Sequence, residues 1–321
     1  MSKQATPLVA LCQRIKVNRF CFLIQAKEEL RLPSYKGSTL RGGFGKAFKK
    51  VCCSQPKLKC SECALSRACV YTYVFETSPS RQSAMMKLYQ AVPHPFVIEP
   101  PLRRQGVFQR GESLEFTLTL IGRARDYLPY FVLAFKELGE IGLGTGLGKY
   151  ELMAAHSDDN QENHRIYETL SSRFGECPSP IDIGLGNTPN EDDQLELKFH
   201  TPTRIIYREQ LAAHPEFHVL MRALLRRVSA IAYFHCGTPP ELDFKSIVEQ
   251  AQEVKIIGED IGWFDWERYS NRQKTRMKMG GFLGTATYEG PWKNFLPLLK
   301  LGELVHIGKG ATFGLGKYSI G

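Results

Sequence analysis

"GLGKY" occurs at 146–150 and again at 314–318, each copy closing a longer phrase, "LGEIGLGTGLGKYEL" (138–152) and "LGELVHIGKGATFGLGKYSI" (301–320). A phrase repeated once at so long an interval is too widely spaced for a solenoid unit. It predicts a duplicated domain whose two copies end in the same turn. Outward from the first copy, alternation of apolar residues predicts strands over 15–25, 70–77, 113–122 and 147–154, with 94–100 extending the sheet. Helical spacing predicts helices over 38–52, capped by Ser38 or Thr39, and over 127–142, ending in glycine. The second half repeats the order, with strands over 195–201, within 251–266, over 280–290 and over 314–320. Its helices fall at 216–237, stopped by Gly237, and at 292–304.

Two β-α-β-β-α-β units predict an α+β chain of two tandem ferredoxin-like (βαββαβ, RRM-like) domains, 1–154 and 195–321. The stretch 155–194 is polar and rich in Gly, Pro, Asn and Asp, and reads as a linker with a short extra element. The first domain carries a cysteine-rich insertion at 52–69.

The charge of the chain narrows its partners. Lys and Arg number 42 against 33 Asp and Glu, a formal net charge of +9. Such a balance favours polyanions, because neutralised phosphates release their counterions. No apolar run is long enough to span a bilayer, and the N-terminus lacks the pattern of a secretory signal. The expected compartment is the cytoplasm, with no membrane partner.

The basic residues are not evenly spread. "WERYSNRQKTRMKMGG" (266–281) contains Arg268, Arg272, Lys274, Arg276 and Lys278 against the single acid Glu267. The last four alternate, so an extended ribbon would put all four on one face. Tyr269 lies within the ribbon and Trp263, Phe264 and Trp266 just upstream, where aromatic faces can stack on bases. The second glycine phrase sets Gly308, Gly310, Gly314 and Gly316 close together with Lys309 and Lys317. Glycines at this density either bring backbone N–H groups to a phosphate or close a tight helix-to-strand connection.

Of nine cysteines, five lie in 52–69. In a chain without a signal peptide, that clustering points to a metal rather than to disulfides. Cys60 and Cys63 form a C-x₂-C pair that Cys53 and Cys69 complete to four thiolates, with Cys52 able to replace Cys53. Four thiolates suit a closed structural zinc site or, equally by spacing, an iron–sulfur cluster. Neither leaves the metal an open position, so no catalytic metal is expected.

The segments "RYSNRQ", "GGFLGTATYEG" and "FLPLLKLGELVHIGKGATFGLGKYSI" resemble the C-terminal half of the CRISPR-associated endoribonucleases of the RAMP superfamily. "LPSYKGSTLRGGFGKAFKK", "CVYTYVFET" and "HPFVIEPPL" resemble their N-terminal half. The resemblance implies tandem ferredoxin-like domains and metal-independent cutting of precursor CRISPR RNA within its repeats, leaving a 5′-hydroxyl and a 2′,3′-cyclic phosphate. A non-cleaving RNA-binding subunit of a CRISPR effector complex is the alternative. Members of the family often carry a catalytic histidine on the first helix. Here that helix has none, and Lys46 stands in the region.

Metal-free cleavage must move a proton off the 2′-OH, supply one to the leaving 5′-oxygen and offset the charge of the phosphorane. Among eight histidines, His306 lies two residues before Gly308 and is the first candidate. Lys46, Tyr35 and Arg41 form the alternative group on the first helix and the loop before it.

Overall fold

The computed structural model describes residues 6–77, 92–158, 164–169, 173–183, 194–265, 267–270 and 275–321, with 267–270 and 275–278 described by their backbone alone. It divides into two compact units, Lys16–Ile181 and Met1–Ile15 with Asp182–Gly321. The chain opens on helix α1 (Pro7–Arg14), capped by Thr6, whose hydroxyl accepts from Val9 N–H. This helix, which the sequence did not announce, groups with the second half through contacts with two of its helices.

The unit Lys16–Ile181 is built on β1 (Val17–Ala26), where Phe20, Phe22 and Ile24 turn inward with no exposed surface. β2 (Leu30–Arg31) pairs with β4 (Val107–Phe108) beside the main sheet. Helix α2 (Gly37–Cys52) follows, then the cysteine-rich turn, a short helix α3 (Val70–Phe75) and β3 (Phe96–Glu99). β5 (Ser113–Ile121), α4 (Leu128–Ile141) and β6 (Tyr150–Ser157) complete the pattern, and β7 (Arg165–Glu168) and β8 (Arg173–Phe174) widen the sheet. The strand order is β3-β5-β1-β6-β7-β8, every adjacent pair antiparallel. The first four positions are the second, third, first and fourth strands of a ferredoxin-like sheet. One face carries α2 and α4 over a core of rings: Phe44 stacks on Phe135 at 4.7 Å and on Phe131 at 5.3 Å. Each such ring, fully buried, contributes about 1.5–3 kcal/mol.

The other unit repeats the plan. β9 (Gln194–Thr203) leads through the hairpin of β10 (Ile206–Tyr207) and β11 (Gln210–Leu211) into α5 (Phe217–Cys236), which stops at left-handed Gly237, and then α6 (Phe244–Ala251). β12 (Lys255–Phe264), the antiparallel pair β13 (Glu267–Ser270) and β14 (Thr275–Lys278), β15 (Gly281–Glu289), α7 (Leu296–Val305) and β16 (Tyr318–Ile320) follow. The order β12-β15-β9-β16 is again second, third, first, fourth, all antiparallel.

Two expectations change. Residues 70–75 are helix α3, not a strand, and the second strand of the first sheet is 96–99 alone. The alternation of VYTYVF is local; its Phe75 instead meets Phe44 at 5.7 Å and Phe48 at 5.6 Å across the helix pair, contacts the sequence does not reveal. Helix α2 starts after Lys36 with no side-chain cap bond, in place of the Ser38 or Thr39 cap. Within the stretch 155–194, read as a linker with a short extra element, that element is β7 and β8, which join the first sheet after the end of β6, and Ile181 N–H then donates to Val17 carbonyl at 2.8 Å.

Candidate nucleic-acid interface

The two GLGKY phrases do the same mechanical work. In each, the tyrosine is buried and its hydroxyl donates to a carbonyl of the preceding helix: Tyr150 to Phe135 at 2.7 Å, Tyr318 to Leu299 at 2.6 Å. A glycine on that helix makes room. A Cβ at Gly139 would lie 2.4 Å from Tyr150 carbonyl oxygen, and one at Gly302 would lie 2.1 Å from Tyr318 hydroxyl.

Within 306–317 the backbone folds on itself. Gly308, Gly310, Gly314 and Gly316 all take positive φ, and N–H groups of Lys309, Phe313, Gly314, Leu315 and Gly316 donate to main-chain carbonyls. Those five donors are already occupied, so the geometry favours the tight connection over the phosphate cradle. Lys309 stays exposed, while Lys317 is half-buried with its N–H on Thr201 hydroxyl at 2.8 Å. His306 caps α7 at φ 62°, has no exposed surface, and bonds through Nδ1 to Leu315 carbonyl at 3.1 Å. As placed it is closed off from any ribose, which corrects the expectation that it carries the proton chemistry.

In the basic ribbon, β13 and β14 pair as antiparallel strands. Arg268 pairs with Met277, Tyr269 with Arg276 and Glu267 with Lys278. Arg272 and Lys274 lie outside the described residues. The aromatics leading into β13 are open: Trp263 and Phe264, at the end of β12, keep 44% and 39% of their surface in solvent, enough for a base to stack on.

The first helix gathers a different group from the one expected. Arg41 Nη2 donates to His94 Nε2 at 3.3 Å, and the Arg41 guanidinium lies 4.9 Å from the centre of the Phe75 ring. A guanidinium has no acceptor, so His94 Nε2 offers its lone pair and the ring proton sits on Nδ1. The sequence carried one hint of this pair, His94 immediately before Pro95 at the start of a strand. Lys46 is exposed five residues after Arg41, about 140° farther round the helix, and does not join it. Tyr35 is half-buried, and burial followed by the Glu99 carboxylate pushes its phenol up, which keeps it a proton donor and not a base. Next to it, Lys36 is fully buried and donates to the carbonyls of Ser34 at 3.2 Å and Arg103 at 2.9 Å, tying the start of α2 in place. Burial, then Arg103, lowers its pKa.

Comparison with known proteins fits this architecture. Residues 15–177 match the family AF_1859_N, an N-terminal domain, and residues 197–318 match the family described as CRISPR-associated endoribonuclease Cas6. The chain belongs to the family of the AF_1859_N domain, and its second half carries a Cas6 domain, as in CRISPR-associated RAMP-like proteins. It is similar to an uncharacterized protein of Archaeoglobus fulgidus, 25% identical over 299 residues that span 91% of this chain and 93% of the other. Among solved structures, a Cas6 product complex superposes with a TM-score of 0.57 at 16% identity, covering 95% of this chain and 99% of that one. Cas6 of Thermus thermophilus gives a TM-score of 0.52 at 14% identity, covering 95% and 98%.

The cysteine-rich turn lies between α2 and α3. Cys60–Glu62 is one turn of 3₁₀ helix, with Cys63 N–H on Cys60 carbonyl at 3.4 Å. Yet among the described residues no group of three or more His, Cys, Asp or Glu is close enough to hold a metal ion. Burial, then Cys69 and Cys53, pushes the Cys52 thiol up to about 12, marking the three sulfurs as neighbours without making them a ligand set. No helix among the described residues is long and apolar enough to cross a membrane.

Proposed function

We propose that the protein cuts precursor CRISPR RNA within its repeats, by attack of a 2′-OH on the adjacent phosphodiester and without a catalytic metal. The 2′-oxygen bonds to phosphorus and the P–O5′ bond breaks. The 2′-OH proton passes to a base and a proton reaches the departing 5′-oxygen, leaving a 2′,3′-cyclic phosphate and a 5′-hydroxyl. The observation that carries the reading is the Arg41–His94 pair on a chain whose second half matches the Cas6 endoribonuclease family. Arg41 would meet the phosphorane charge; His94 Nε2, released from Arg41 by the incoming phosphate, would take the proton. Strands β13 and β14 and the rings of Trp263 and Phe264 would hold the RNA.

The alternative, a non-cleaving RNA-binding subunit of an effector complex, draws support from the first helix without histidine and from the burial of His306. A structural zinc, or an iron–sulfur cluster, on Cys53, Cys60, Cys63 and Cys69 would require the turn to draw its thiols together. Metal analysis of the purified protein tests it.

One experiment separates cutting from binding. Repeat RNA is incubated with the protein in EDTA, beside a copy carrying a single 2′-deoxy nucleotide at the cut site. Cleavage of the first and not the second is expected. Tight binding with neither cut identifies the binding subunit, and cutting of both overturns the 2′-OH mechanism.

A further inference from the structure

The face of the second sheet turned away from α5 and α7 carries a compact basic patch that the cutting site does not use. Leu197, Phe199 and Tyr318 are buried on the helix side, so their neighbours Lys198, His200, Lys317 and Ser319 project from the other. Register then sets them as a square. Lys198 is opposite Ser319, Phe199 opposite Tyr318, and His200 N–H donates to Lys317 carbonyl at 2.8 Å. Across the diagonal, His200 Nε2 and Ser319 Oγ are hydrogen-bonded at 2.8 Å. Of the two hydrogens these groups own when the imidazole is neutral, their shared bond uses one, so the pair retains a donor for a further acceptor.

The charges agree with this placement. His200 titrates below the usual histidine range, first through burial and then through Lys317 and Lys198, so both ammonium groups sense the ring. Among the described residues, the acids on this face lie outside the square. Asp260 shares the row of Lys198 but stands two strands away, opposite Thr285, at about 10 Å, and Glu196 is one step along β9 in the direction away from His200. β16 is the edge strand of the sheet as described, and Lys198 is exposed.

Resting on the RNA reading above, we propose that Lys198, His200, Lys317 and Ser319 form a binding site for one phosphodiester of the RNA. Two ammonium groups on adjacent strands flank the anion, and the His200–Ser319 pair donates to it. The site would add affinity for the strand without taking part in the cut.

The test is fluorescence anisotropy with labelled repeat RNA made uncleavable by a 2′-deoxy nucleotide at the cut site, titrated at several salt concentrations. Variants Lys198→Ala, Lys317→Ala and Lys198→Glu are compared with Lys245→Ala, an exposed lysine on α6. Each patch alanine should weaken binding about three- to tenfold and reduce the salt slope by about 0.7, the value for one contact with a single strand. Lys198→Glu should weaken it further, and Lys245→Ala should change neither. Lys198 is exposed, so its variants are expected to fold, and a thermal melt checks this. Wild-type binding with patch variants indistinguishable from Lys245→Ala overturns the site and leaves the proposed activity standing. Failure of the wild type to bind repeat RNA overturns both.

Discussion

The hydroxyl of Tyr318 donates to the main-chain carbonyl of Leu299 at 2.6 Å, tying the last strand of the chain to the helix before it. Tyr150 and Phe135 repeat the arrangement at 2.7 Å in the other unit. Tyr318→Phe and Tyr150→Phe should each cost about 0.5–1.5 kcal/mol, read as a lowered midpoint in denaturant. A loss within error for both would show that the repeated tyrosine is there for its ring alone.

The same tyrosines set an alkaline limit. Burial raises both phenols well above their ordinary value. Tyrosines of the unfolded chain ionise near pH 10, so the folded protein then holds more protons. The stability they contribute is full below that pH and falls as pH rises beyond it. Thermal melts from neutrality upward should show this decline, and the double phenylalanine variant should show a shallower one.

Two glycines should respond with opposite sign. A Cβ at Gly316 would lie 1.8 Å from Ile307 carbonyl oxygen at φ 72°, so Gly316→Ala should destabilise by more than about 1 kcal/mol. At Gly42, exposed within α2, an added Cβ meets nothing within 4 Å. Gly42→Ala should stabilise by about 0.5–1 kcal/mol. Equal shifts of the melting temperature would contradict the packing described for 306–317.

Arg41→Ala should slow single-turnover cleavage about a hundredfold or more, the range for losing one group that meets transition-state charge. His94→Ala should slow it by about 10²–10⁴. Lys46→Ala, on another face of the helix, should stay within about twofold. Full activity in Arg41→Ala would remove this pair from the reaction.

Arg276→Ala and Lys278→Ala in β14 should weaken RNA binding nearly uniformly across sequences. Each should reduce the salt slope by about 0.7. A variant that changes which sequence is bound, with its salt slope intact, would mean that β14 reads bases.

Much of this architecture was legible because local rules and tertiary packing agree. The repeated GLGKY fixed two equivalent helix-to-strand joints, and alternation in "SLEFTLTLIG" (113–122) matched β5 to within one residue. Where they disagree, sequence failed. Residues 70–75 alternate like a strand, yet Phe75 finds its ring partners only when the chain turns helical against α2. The site was harder for a related reason. His306 stood among glycines that promised an open cradle, but their positive φ values fold the turn closed over its ring. His94 and Arg41 are 53 residues apart and meet only through the packing of α3 and β3 on α2. Nothing in the sequence around His200 sets it beside Ser319, because their proximity depends on the pairing of the first and last strands of a sheet.

The bond from Ile181 N–H to Val17 carbonyl brings together the two ends of the unit Lys16–Ile181. That unit is in effect a guest spliced between α1 and the remainder of the chain. Severing the gene at the midpoint would therefore orphan α1 from the body it belongs to. Excising the guest and bridging Ile15 to Asp182 with a short spacer is the cut that respects the folded boundaries.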